Sequence, residues 1–147
     1  MATIKYGAPG SPANVMTTEL NAIANAAGAI TATALSNDAA GELHPYATFE
    51  LYLAAQGTAR VAGAVVVMYI LPEISDNFSF GGASLQPKQP PDIVFEFDAA
   101  VTARYVAVSM VPIPPTNFHI VLWNITGQTL AATGNILSWE TYDYASA

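Results

Sequence analysis

The longest uninterrupted apolar run in the chain, residues 61–71 (VAGAVVVMYIL), is 11 residues long and lies between Arg60 and Pro72-Glu73. A helix that crosses a bilayer needs about 20 such residues, so this run cannot span as a helix. It is also apolar at consecutive positions, whereas a strand with one wet face alternates. The run therefore reads as a central strand covered on both faces. Its cover comes either from the rest of its own domain or from neighbours in an assembly.

The segments on either side of this run have the period of strands. Residues 46–55 (YATFELYLAA) alternate, with Ala47, Phe49, Leu51 and Leu53 on one face and Tyr46, Thr48, Glu50 and Tyr52 on the other. Residues 93–97, 103–111, 118–123 and 136–142 read as further short strands, and 128–133 as a returning strand edge. Between them stand turn signals: Pro112-Ile113-Pro114-Pro115, Asn124-Ile125-Thr126-Gly127 and Gly134-Asn135. Residues 72–91 form a long excursion rich in Pro, Gly and Ser, and connections of that length are usually functional or disordered. Seven or eight short strands at regular spacing predict an all-β fold, a jelly-roll-like antiparallel β-sandwich.

The first residues differ. Residues 1–14 hold Pro9 and Pro12 among small residues and read as an extended arm. Residues 17–27 (TTELNAIANAA) place Leu20, Ile23, Ala24 and Ala27 at helical spacing, with Thr17 or Thr18 as cap and Gly28 as stop. Residues 29–35 predict a first strand or tether. The expected organisation is an N-terminal arm with a short helix over 1–28 and a sandwich domain over 29–147. MATIKYGAPGSP has no charged start followed by an apolar stretch, so the chain is expected to begin in the cytosol.

Charge now limits the partners. Only 10% of the 147 residues are charged, 4 basic and 11 acidic, where a soluble domain carries about 25%. Much of the exterior is therefore expected to be covered by other molecules. A net charge of −7, with Lys5, Arg60, Lys88 and Arg104 scattered, argues against nucleic acid, whose phosphates need clustered Lys and Arg. The absence of cysteine removes disulfides and thiolate chemistry.

Catalytic constellations are hard to find. His44 and His119 are far apart in sequence, without an HxH or HExxH spacing, and read as surface or hydrogen-bonded residues. Glu96 and Asp98 alternate onto one face of a strand. That is a geometry a glycosidase pair can use, although two acids also simply keep a sheet face wet. No GxSxG, Gly-rich phosphate loop or calcium-loop pattern occurs, and Gly81-Gly82 reads as a turn. The expectation is no enzyme, no cofactor and no metal. Aromatic residues are more suggestive. Tyr46, Tyr52, Trp123, Trp139, Tyr142 and Tyr144 suit either a sugar platform or a protein interface. Phe78 and Phe80, in an otherwise polar loop, are expected to pack on a neighbour.

The stretch Pro114-Pro115-Thr-Asn-Phe118-His-Ile-Val-Leu-Trp-Asn124-Ile-Thr-Gly127, followed by Thr133-Gly134-Asn135 and a strand with Tyr142, resembles small structural proteins of tailed bacteriophages. There a PP-x-x-F, a hydrophobic strand, N-x-[ST]-G and [ST]-G-N close the domain. Tyr46-Ala-Thr-Phe-Glu-Leu51 and Met68-Tyr-Ile-Leu-Pro72 extend the likeness over roughly residues 20–144. The resemblance implies a virion component on the capsid exterior, assembled in the bacterial cytoplasm. Within it, the implied role is a capsid decoration (cement) protein that binds the major capsid protein and copies of itself, as a trimer or other small homo-oligomer. A tail, fibre or head-fibre module that binds host glycan is the second expectation. Neither nucleic acid nor membrane is an expected partner. The residues expected to meet partners are Tyr6, Pro9, Pro12, Leu20, Ile23, Phe78, Phe80, Tyr142 and Tyr144.

Overall fold

The computed structural model describes residues 4–6, 10–37, 43–73, 86–142 and 144–146. Its strands are β1 (Ile4–Tyr6), β2 (Ala13–Met16), β3 (Ala27–Ile30), β4 (Tyr46–Leu53), β5 (Val65–Pro72), β6 (Ile93–Glu96), β7 (Arg104–Pro112), β8 (Phe118–Ile125), β9 (Ile136–Tyr142) and β10 (Tyr144–Ser146). Eight of them form two four-stranded antiparallel sheets, in the orders β2-β9-β4-β7 and β3-β8-β5-β6. β1 and β10 pair separately, with Ile4 opposite Ser146. The order is that of a jelly roll. A single long hairpin pairs β1 with β10, β2 with β9, β3 with β8, β4 with β7 and β5 with β6. Rolling that hairpin then adds the ladders β4–β9 and β5–β8.

Side-chain parity explains the layers. In β4, Ala47, Phe49, Leu51 and Leu53 are at most 1% exposed, while the alternate positions are partly or fully exposed. They meet Val66, Met68, Ile70, Phe95, Phe118, Ile120 and Leu122 from the second sheet. Trp139 joins this core at its edge, with its ring 6.1 Å from Phe49 and 5.8 Å, edge-on, from Phe118. Each such aliphatic or phenyl side chain contributes about 1.5–3 kcal/mol on full burial, so this layer holds the sandwich together.

β5 is buried on both faces, as the unbroken apolar run predicts. Val66, Met68 and Ile70 enter the inter-sheet core, while Val67, Tyr69 and Leu71 form a second cluster with Val121 and Trp123 on the outward side. Both clusters are closed within one chain. The double-faced run is therefore consistent with cover from this molecule alone.

The N-terminal third departs from expectation. The helix read over 17–27 is a single 3-10 turn at Thr18–Leu20. Ala22 and Ala26 adopt φ of 55° and 58°, in the left-handed region where a right-handed helix cannot continue. The backbone is held by tertiary bonds instead. Ala22 N–H donates to the Ala131 carbonyl, and Leu130 N–H to the Ile23 carbonyl. The side-chain amides of Asn135 and Asn124 donate to the carbonyls of Leu20 and Ile23. Residues 128–133 spend their backbone on these contacts and do not form the expected strand edge. Gly28 is not a helix stop but lies within β3, and the boundary drawn at residue 28 falls inside that strand. β2 and β3 are thus parts of the sandwich, too short at four residues each to register by alternation. The strand expected at 29–35 begins earlier and ends at Ile30.

Candidate binding face

The outward face of the β2-β9-β4-β7 sheet collects the most recognition-capable groups. Strand register sets Tyr46, Thr48, Glu50 and Tyr52 of β4 opposite Tyr142, Glu140, Ser138 and Ile136 of β9. On the other side of β4, Ala107 and Tyr105 of β7 lie opposite Glu50 and Tyr52. Because strand side chains alternate, all these positions share the face opposite the core.

The result is two aromatic ledges with a polar middle. Tyr46 and Tyr142 stack at 6.2 Å with an interplanar angle of 24°, and Tyr52 and Tyr105 lie 4.4 Å apart at 32°. Such pairs stiffen a sheet surface and present broad amphipathic area. Tyr105 is 65% exposed. The Tyr142 hydroxyl accepts the Met110 N–H at 2.6 Å, which fixes that ring. Between the ledges, Pro12, Thr48, Glu50, Ser138, Glu140 and Ala107 line a shallow cleft of about 160 Å³ floored by Trp139. Ser138 Oγ donates to Asn14 Oδ1 at 2.9 Å and ties β2 to this rim. Stacking surfaces beside hydroxyls and carboxylates can hold a polar, partly planar ligand or a protein surface.

A second cleft, about 470 Å³, opens at one end of the sandwich between residues 55–58 and 128–133. Gln56, Thr58, Gln128, Thr129 and Thr133 supply neutral polar groups there, and its lining contains no ionisable side chain.

The acidic pair read from the sequence takes a different form. β6 ends at Glu96, and Asp98 lies beyond it. Asp98 accepts Arg104 Nε at 3.1 Å and Nη2 at 2.7 Å, and Arg60 Nη2 at 3.3 Å. The hydrogen-bonded Arg104 guanidinium, with Arg60 adding to it, holds its carboxyl below the usual range. That is an ion-pair cluster, opposite in sense to the raised pKa of a glycosidic general acid. His119 Nδ1 lies 3.1 Å from Thr31 Oγ1, and Thr31 Oγ1 also accepts the Ile120 N–H. His119 Nε2 lies 3.9 Å from Glu73 Oε1. The His44 N–H donates to Asn37 Oδ1, and its carbonyl accepts the Asn37 amide. Among the described residues, no group of three or more His, Asp or Glu gathers to hold a metal.

Of the residues expected to meet partners, Pro12 and Tyr142 lie on the outward face. Tyr6 and Tyr144 are register partners in the separate β1–β10 ladder. Leu20 and Ile23 are buried in the main core at 1% and 8% exposure. Pro9, Phe78 and Phe80 lie outside the described residues. Tyr105 was not singled out from sequence. Its signal is parity: Tyr105 and Ala107 alternate with Val106 and Val108, which pack toward the core.

No protein-family model matches the chain, and no curated protein matches it. Among solved structures, a chain from Desmodium yellow mottle tymovirus is similar at 10% identity, over 100% of this chain and 89% of that one, with a TM-score of 0.38. A similarity of that size carries no functional assignment.

Proposed function

We propose that this chain is a non-catalytic structural subunit of a virion, a capsid decoration protein that binds the major capsid protein of a tailed bacteriophage and reinforces the head. The sequence resemblance over residues 20–144 motivates the reading. The observation that carries it is the outward sheet face, on which tyrosine ledges and Pro12 offer contact area around a polar middle that holds Glu50 and Glu140. Aromatic surface of this kind suits protein interfaces, and many repeated weak contacts reinforce a shell without any single strong one. Exterior location and assembly in the host cytoplasm belong to the same proposal.

Co-sedimentation with capsids lacking the protein tests it. Saturable binding is expected, weakened at least tenfold by combined Tyr46→Ala and Tyr105→Ala substitution while the thermal melt stays cooperative. Failure of the folded chain to bind would overturn the reading. The cleft bearing Thr48, Glu50, Ser138 and Glu140 between two tyrosine ledges favours one second reading, a glycan-binding fibre module. A glycan array separates the two. A hit abolished by Glu50→Gln supports the module, and an empty array counts against it.

A further inference from the structure

A sheet edge exposes a row of unpaired N–H and C=O groups, and proteins guard such edges by brevity, charge, proline or a covering segment. Among the described strands, the sandwich has four edges: β2, β7, β3 and β6. β2, β3 and β6 are four residues long, and β6 follows Pro90-Pro91 and ends on exposed Glu96. β7 has nine residues and ends on Pro112. Between Arg104 and that proline stand Tyr105, Val106, Ala107, Val108, Ser109, Met110 and Val111, without a charge or a proline among them. Tyr105 and Met110 are 65% and 43% exposed, and Ala107 and Ser109 are exposed as well. Arg104, its only charge, is held by Asp98.

We propose that β7 is a self-pairing edge, through which two copies of this chain join antiparallel into one continuous eight-stranded sheet. Antiparallel pairing of a strand with its own copy is isologous, so one unguarded edge is sufficient. In an antiparallel ladder every second residue of β7 turns its N–H and C=O away from β4, ready for a second strand. At Met110 a φ of 62° and the bond to Tyr142 bend the far end, leaving Arg104–Ser109 as the regular stretch. A twofold axis at Ala107 sets Tyr105 opposite Ser109 of the second copy. It also carries the Tyr52–Tyr105 ledge up to the seam.

Charge selects the occupant. The chain carries −7 overall, yet this edge presents no free charge, so two copies approach here without the repulsion they meet elsewhere. A seam one strand wide lies at the low end of interface sizes, and the dimer is therefore reversible and concentration-dependent. The inference does not depend on the virion reading.

The chain has no cysteine, so a single introduced thiol reports the seam. Under mild oxidation Ala107→Cys is expected to form an intermolecular disulfide. Val94→Cys, 45% exposed on the β6 edge, is expected not to. Equal cross-linking at both positions, or none at 107, would overturn the proposal. In sedimentation velocity, Ala107→Lys and Ala107→Glu each place like charges across the axis. Each should weaken dimerisation about tenfold or more with an unchanged thermal melt. An equimolar mixture of the two should restore it. A wild-type chain that stays monomeric at high concentration, including one that takes up a foreign strand at β7 instead, refutes self-pairing.

Discussion

Arg60 carries a full charge into a site that water does not reach. Its side chain is wholly buried, over the Phe97 ring at 5.6 Å, and it donates to the carbonyls of Asp98 and Thr102. It thereby clamps the connection between β6 and β7. Arg60→Ala would leave a cavity and remove the side-chain donor from the Thr102 carbonyl, while the Asp98 carbonyl keeps the Ala100 N–H, and is expected to cost about 3 kcal/mol, measured as a lower urea midpoint. Asp98, in the same cluster, sets a pH dependence. Its folded pKa lies below the ordinary 3.8, so its contribution is complete above that value and is lost as pH falls through the folded value. Asp98→Asn should therefore lower Tm at neutral pH, and the gap from wild type should close below about pH 3.8 in melts taken across the acid range. None of this was readable from the sequence, where Arg60 and Arg104 are isolated basic residues 44 positions apart. Only the fold brings both to Asp98.

The elements were legible in proportion to their length and parity. The alternating segments from Tyr46 onward became β4, β6, β7, β8 and β9 within a few residues of their expected limits, and the unbroken apolar run became β5. The N-terminal elements were not legible, because a four-residue strand has too few positions to show a period. The helical spacing of Leu20, Ile23 and Ala27 instead arises in an irregular segment held by Asn124 and Asn135. The outward face was half legible: the parity of β4 marked Tyr46, Thr48, Glu50 and Tyr52, but register supplied Tyr105, Ser138 and Glu140. β3 offers a test at this scale. A Cβ on Gly28 would lie 2.5 Å from Trp123 Cε3 and 2.9 Å from the Leu122 carbonyl oxygen. Gly28→Ala must push β3 from β8 or displace the indole. The expected loss is about 1–3 kcal/mol, with a shift of tryptophan fluorescence that Gly57→Ala, in open space, does not share.

At the scale of the whole molecule, every ladder of the sandwich joins a strand from before residue 73 to one from after residue 86. Neither half contains a ladder of its own among the described strands. A chain severed between those residues would thus give two fragments that have their strands but none of their pairing partners. Each should show a disordered circular dichroism spectrum alone. Mixed in equal amounts, the pair should regain β signal in one cooperative step, whereas ordered spectra from the separate fragments would contradict the nesting. The rolled hairpin makes the two halves complementary templates, and a split reporter cut at this point would signal only on reunion.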